Sequence, residues 1–293
     1  MACEESADHQ WCHGGDAAEL KRWNLNVEAA LSFQKQHRAE MRIFLSEHRW
    51  KGQDNPAAVK PTEEEAVMML RQGDESAIPV PAVFHFVPGM PVVVNKNIHP
   101  GLKLVNGARY TALDVILDKA YPGYRVNEDT IIHFGPPAGI LLGSETTRDL
   151  HFVGMPAGTI LLTPISTKIN HQENRQWQKI DVSRRGLPCT AAFACTDYKV
   201  QSRTMARVAL ELRGRMMTDT EGQMEPSSCD PYSLYVQLSR CRSLDGMMLV
   251  SPVRRRDFVG NKVPAEMMAA ERQLDSLSDA TIRDAETWDW EDT

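Results

Sequence analysis

The stretch from Asp230 to Val250, DPYSLYVQLSRCRSLDGMMLV, constrains this chain more than any other. Asp230 suits a helix cap and Pro231 the first helical turn, where its missing N–H costs nothing. Leu234, Leu238 and Cys241 recur at helical spacing and predict one apolar face. Asp245-Gly246 predicts a turn, and Met247 to Val250 reads as a short buried strand. The unit expected is helix, turn, core strand, with Ser239 and Arg240 at the helix end beside a sheet. An arginine held there suits a phosphate, because its planar fork binds oxygens bidentately and keeps its charge. A surface arginine on an ordinary α/β unit is the other reading of the same residues.

A second stretch, Gly186 to Leu212, repeats the logic: GLPCTAAFACTDYKVQSRTMARVALEL. A short strand leads into a helix expected from Ala191 to about Val200. A loop with Gln201, Ser202, Arg203 and Thr204 follows. Then Val208, Leu210 and Leu212 alternate with Arg207, Ala209 and Glu211 as a strand. Together the two stretches resemble motifs V and VI of superfamily 1 DNA helicases, in the RecD/Pif-type branch. The family's motif V has the form Thr-(Val/Ile)-His-Lys-Ser-Gln-Gly-x-Thr after a strand. This chain has Thr196-Asp197-Tyr198-Lys199-Val200-Gln201-Ser202-Arg203-Thr204. The family's motif VI, Tyr-Val-Ala-Leu-Ser-Arg, is matched by Tyr235-Val236-Gln237-Leu238-Ser239-Arg240.

Between residues 78 and 166 the period changes from helical to β. Val83 to Val87, Val92 to Val94, Leu102 to Leu104, Tyr110 to Ile116 and Ile131 to Phe134 read as short strands, with Ala157 to Ile165 returning the chain to the core. Pro88-Gly89 separates two of them, and Asn106-Gly107 is a two-residue hairpin signal with both turn positions at positive φ. Closely spaced short strands predict a small barrel. The helicase family inserts an SH3-like barrel at this place, and its opening resembles Pro88 to Asn97 followed by Leu104 to Ala108. A generic β-barrel interaction module is the alternative.

Upstream, a helix is expected from Asn26 to about Gln36, with Val27, Ala30, Leu31 and Phe33 as its apolar surface. Met41 to Leu45 follows as a strand, and Trp50 to Pro61 reads as loop. Thr62 to Gln72 is expected as a helix with a Thr62/Glu65 capping box, Val67 and Leu70 facing inward, and Gly73 ending it. Downstream, the run Arg254 to Arg256 reads as a solvated charged face. Pro264 to Leu277 is expected as an amphipathic helix packing Met267, Ala270, Leu274 and Leu277 on the domain. Residues 1–20 read as a disordered terminus and 279–293 as an acidic tail, with Asp279 capping one more turn or two and Glu286 to Thr293 frayed.

The resemblance implies an α/β fold: the second RecA-like domain of a P-loop NTPase, carried by residues 21–77 and 167–278, with a small SH3-like β-barrel inserted at 78–166. It implies roles by position. Arg240 is the arginine finger toward a γ-phosphate. Gln201, Ser202, Arg203, Tyr235 and Ser239 line the nucleotide side. Thr196, Tyr198, Lys199, Lys96 and Asn97 meet single-stranded DNA, with Tyr198 stacking on a base and Lys199 meeting a phosphate. The intact family uses ATP and Mg²⁺ and unwinds 5′ to 3′.

Several features set limits on this. No Gly-Lys pair occurs anywhere, so the phosphate-cradling loop of such enzymes is absent, and no apolar strand ends in an Asp-Glu pair. The resemblance therefore covers a C-terminal half, and the ATP-binding half must come from elsewhere for hydrolysis. Ser202 replaces the family's Gly, placing a Cβ where backbone approaches phosphate. Tyr198 replaces His, and Val200 replaces Ser. These departures fit a truncated copy of the Helitron-associated type, inactive alone; a non-catalytic nucleic-acid-binding or protein-interaction remnant is the alternative.

Composition adds bounds. Hydrophobic residues make up 42% and charged residues 25%, and the net charge of -6 leaves nucleic-acid binding to a local basic lining. No apolar run spans a membrane and no cleavable signal pattern is seen at the start. Six scattered cysteines fit a reduced intracellular setting, and the family implies nucleus or mitochondrion. Cys3, His9, Cys12 and His13 lack the paired spacing of a zinc site, so no metal is expected.

Overall fold

The structure is a computed structural model, and it describes residues 17–51, 61–71, 78–171, 177–196, 200, 204–218, 224–228, 231–250, 252, 254–258 and 265–288. The chain divides into two compact units, Met1–Val200 and Gln201–Thr293. Among the described residues no helix is long and apolar enough to cross a membrane.

In the first unit a long helix, α1 (Ala17–His37), precedes β1 (Met41–Leu45) and β2 (Glu47–Trp50). Then come α2 (Glu63–Arg71), β3 (Val83–Phe86), β4 (Pro91–Val94), β5 (Arg109–Ile116), β6 (Gly123–Asn127) and β7 (Thr130–His133). The unit closes with β8 (Gly139–Gly143), β9 (Thr159–Leu162), β10 (Ile165–Ile169), β11 (Val182–Gly186) and β12 (Cys189–Ala191). These strands form three open sheets, ordered β3-β1-β7-β6, β12-β4-β5-β8-β9 and β10-β11-β2. The β1–β7 pair is parallel, and the other pairs of these three sheets are antiparallel.

The architecture is thus mixed α/β with open sheets. Among the described residues the strands of 78–166 do not close into a barrel, because they are shared between sheets. β3, β6 and β7 join β1, while β4, β5, β8 and β9 join β12. The main core lies between α1 and these two sheets, with Met41, Phe44, Phe84, Phe86, Ile140, Leu142, Ile160 and Leu162 buried together. Each such side chain contributes about 1.5–3 kcal/mol by leaving water. A smaller core joins Met69 of α2 to Ile169 and Val182 of the third sheet, with Trp50 and Trp177 packed against it.

Several elements differ from expectation for identifiable reasons. α1 begins well before Asn26, and its buried row is Arg22, Asn26, Ala30 and Gln34, spaced four apart and mostly polar. Asn26 exchanges two hydrogen bonds with Ala194, donating to its carbonyl at 2.9 Å and accepting from its N–H at 2.8 Å. Gln34 donates to the Asp129 carbonyl. Leu31, expected inside, is exposed. On α2 the inward residues are Glu65 and Met69, one turn apart, while Val67 faces solvent. Thr62 Oγ1 does cap the Glu65 N–H at 3.1 Å, but the Glu65 carboxylate accepts from Lys179 N–H instead of turning back.

Trp50 belongs to β2 and not to a loop. Leu102 to Leu104 is no strand: Pro100–Leu102 is a 3₁₀ turn capped by His99. The Asn106-Gly107 turn has positive φ at Gly107 alone, so it is not the two-residue hairpin turn expected. The Ala108 N–H to Val105 carbonyl bond with Gly107 at φ +82 is the type II pattern, as it is at Val87 to Met90 with Gly89. Over 191–196 the helix expected from Ala191 to about Val200 gives way to the end of β12 and irregular chain pinned by Asn26; 197–199 lie outside the described residues, and Val200 is helical.

In the second unit, β13 (Val208–Leu210) pairs in parallel with β16 (Met247–Leu249), and β14 (Arg213–Thr218) pairs with β15 (Met224–Ser228). Helices α3 (Pro231–Leu238), α4 (Arg255–Phe258) and α5 (Ala265–Ala285) complete the unit. Leu210 and Leu212 are buried, and Arg207 and Ala209 are exposed, so the expected alternation holds. The expected burial of Met247 to Val250 does not: Met248 is 63% exposed, and Leu249 and Val250 are exposed too. A two-stranded sheet covers few of its own side chains. The stripe on α5 is likewise exposed where packing was expected.

Candidate functional site

The second unit brings the two motif-bearing stretches together. Met205 forms a parallel bridge with Cys241, and its N–H donates to the Arg240 carbonyl at 2.8 Å. From this point β13 and β16 run side by side, Val208 opposite Met247. Gly246 makes the close approach possible, because a Cβ there would meet the Ala206 carbonyl oxygen and the Cys241 sulfur. The loop after one stretch is therefore locked against the end of the helix of the other.

Leu234, Leu238 and Cys241 are half-buried, as their spacing predicts, and Tyr235 is 72% exposed on the outer side of α3. Arg240 is half-buried just past the helix end. Its Nε donates to the Val236 carbonyl at 2.6 Å, and its Nη2 donates to Ser239 Oγ, also at 2.6 Å. Ser239 Oγ in turn donates to the Val236 carbonyl at 3.0 Å. A cation at a helix C-terminus meets the negative end of the helix dipole and satisfies a carbonyl the helix leaves open. Arg240 thus takes two acceptors from its own helix, and reaching a phosphate requires leaving them.

The other candidates divide between the two units, each holding its own set. Gln201, Ser202, Arg203, Tyr198 and Lys199 lie outside the described residues. Thr196, Lys96 and Asn97 belong to the first unit, and Tyr235, Ser239 and Arg240 to the second. Within the first unit the DNA candidates separate. β4 and β12 are antiparallel, Val94 facing Cys189 and Val92 facing Ala191, so Lys96 and Thr196 leave the pair at opposite ends. Lys96 is exposed. Asn97 Oδ1 is occupied, accepting the Asn106 N–H at 2.8 Å to hold the loop. Thr196 follows Cys195, whose sulfur accepts from Arg109 Nη2 at 3.0 Å.

Two polar clusters of the first unit escaped the sequence reading. In one, Arg184 is fully buried, donating to His48 Nε2 at 2.8 Å, the Val80 carbonyl at 3.1 Å and the Met69 carbonyl at 2.9 Å. Burial, and then the Arg184 charge, push the His48 pKa down to about 3. In the other, His133 is buried between Arg42 Nη1, at 3.2 Å from its Nε2, and the Tyr121 carbonyl, at 3.0 Å from its Nδ1. Arginine only donates, so Nε2 accepts from Arg42 and Nδ1 donates to the Tyr121 carbonyl. Neither cluster holds a nucleophile. Pairing across strands, which a linear reading does not show, was the only available signal.

Among the described residues no three or more His, Cys, Asp or Glu side chains gather for a metal ion. Cys3, His9, Cys12 and His13 lie outside them. Among the described residues no nucleotide cradle forms: no Gly-Lys pair exists in the chain, and Arg240 donates to groups of its own helix.

The fold therefore defines a mixed α/β protein whose two motif stretches meet on a parallel strand pair. No family model and no curated protein matches the chain. Among solved structures it is similar to the Pif1 helicase from Candida albicans, at 15% identity and a TM-score of 0.49, covering 90% of this chain and 48% of that one. It is similar also to Bacteroides Pif1 in complex with ADP-AlF3 and ssDNA, at 17% identity and a TM-score of 0.47, covering 86% and 44%. Bacteroides Pif1 bound to ssDNA gives 16% identity and a TM-score of 0.45, again covering 86% and 44%. The chain spans less than half the length of these structures, and likeness at this level assigns no residue a role.

Proposed function

We propose that this chain is the C-terminal part of an ATP-dependent DNA helicase of the Pif type, a second RecA-like domain that does not hydrolyse ATP alone. The observation that carries the reading is the Met205 N–H bond to the Arg240 carbonyl, with the parallel β13–β16 pair beyond it. Two stretches that resemble motifs V and VI in sequence are thereby neighbours in space, as a shared nucleotide cleft requires. In this reading Arg240 swings out from Val236 and Ser239 when a γ-phosphate is presented by an ATP-binding half. ATP and Mg²⁺ belong to that half. In this reading β4, β5, β8 and β9 correspond to the family's inserted SH3-like barrel, and single-stranded DNA is the polymer bound.

The experiment combines two measurements on the purified full chain. ATP turnover is expected at background with or without single-stranded DNA. A labelled oligothymidylate is expected to bind with little sequence preference, its affinity falling as salt rises because phosphate contacts release counterions. Turnover that disappears in Arg240→Ala, or no binding even at low salt, overturns the reading. The second outcome supports the alternative, a protein-interaction remnant without the ATPase. That reading is favoured by the exposure of Met248, Leu249 and Val250, a strand that a RecA-like core would bury.

A further inference from the structure

The apolar stripe of α5 is exposed along its length, and its rims are charged in one sense. Every residue from 265 to 279 is exposed, including Met267, Leu274 and Leu277, at 42%, 65% and 56%. At ~100° per residue, Met267, Ala270, Leu274 and Leu277 fall within an arc of about 80°. They are spaced 3, 4 and 3 residues apart, the alternation of a helix built to meet one partner surface. The helix carries five carboxylates, Glu266, Glu271, Asp275, Asp279 and Asp284, against two arginines. Their placement is uneven. Glu266 and Asp284 border the stripe on one side and Glu271 and Asp275 on the other, while Arg272 and Arg283 fall on the opposite face.

We propose that α5 is a docking helix whose acid-rimmed apolar stripe seats in an apolar groove edged by lysine or arginine side chains on a partner protein. Charge complementarity selects that occupant. A second copy of the same helix would bring Glu266 and Glu271 against like charges at the seam, with both arginines turned away. The four-residue stripe is also short for a self-supporting coiled coil. The proposal is independent of the helicase reading, because it uses no residue of the motif stretches.

The probe is a labelled synthetic amphipathic helix with leucine at every a and d position and lysine at every e and g. The control peptide has glutamate at e and g. Both are titrated with the full chain and followed by fluorescence anisotropy. The lysine-edged peptide is expected to bind at least roughly tenfold tighter than the control, with the gap narrowing as salt rises. Leu274→Asp should weaken binding by roughly tenfold or more, since it puts a charge into the seat. Glu266→Lys with Glu271→Lys should erase the preference for the lysine-edged peptide. Circular dichroism of each variant establishes that α5 remains helical. Equal binding of both peptides, or none of either, overturns the proposal. So does a dimer in sedimentation that Leu274→Asp dissociates, which gives the stripe to a second copy. Slow amide exchange confined to 267–277 in the monomer also overturns it, by showing that the chain covers its own stripe.

Discussion

Arg184 keeps a full charge with no exposure to solvent, and its surroundings show what holds the third sheet together. Its guanidinium reaches β2 through His48, the end of α2 through the Met69 carbonyl, and the chain before β3 through the Val80 carbonyl. These acceptors are fixed in a fork that a point-charge ammonium does not match. Arg184→Lys is therefore expected to cost on the order of 3 kcal/mol, by leaving buried acceptors unmatched around a cation. Urea unfolding of the full chain followed by tryptophan fluorescence measures it, and a loss below about 1 kcal/mol contradicts the account. Arg240 differs in kind. It is half-buried and donates to two groups of its own helix, and its site role belongs to the proposed function.

At the scale of elements, α2 shows how a short helix is held at both ends of its first turn. Thr62 Oγ1 caps the Glu65 N–H, three glutamates fill the first turn, and the Glu65 carboxylate ties the helix to Lys179. Thr62→Ala is expected to cost about 1 kcal/mol, the ordinary value of a side-chain cap. Thr62→Ser, which keeps the hydroxyl, should cost a few tenths, and the pair is compared by the same unfolding measurement. The β13–β16 pair depends on its turn in another way. A Cβ at Gly246 meets the backbone oxygen of Ala206, which cannot rotate aside, so the strands of that pair cannot keep their register in a Gly246→Ala chain.

At the scale of the whole molecule, two histidines make folding depend on pH. His48 falls to about 3 through burial and the Arg184 charge, and His85 falls to about 4 through burial. Both lie below the ordinary 6.5, so the unfolded chain takes up protons first as pH falls. Their stabilising effect is complete above pH 6.5 and is lost as pH drops from there toward the folded values. The slope is at most ~1.4 kcal/mol per pH unit for each histidine. The unfolding midpoint in urea should therefore decline steadily between pH 6.5 and 4, and His48→Gln should flatten that decline. A midpoint independent of pH over this range contradicts the assignment.

Local patterns in this chain determined what neighbours can enforce. β1 over Met41 to Leu45, the cap at Thr62, the turn at Pro88-Gly89 and the alternation of Leu210 and Leu212 are all set within a few residues, and all stand. Tertiary structure decided the rest. The inward face of α1 is polar because Asn26 and Gln34 satisfy distant backbone groups, Ala194 and Asp129, which no helical period reports. The strands of 78–166 form open sheets because β1 and β12, from outside that segment, pair into them. The cation of Arg184 is buried because acceptors from three separate segments converge on it. Periodicity reports only which residues prefer to leave water. Which surface receives them depends on segments far away in the chain, and that is settled only when the sheets assemble.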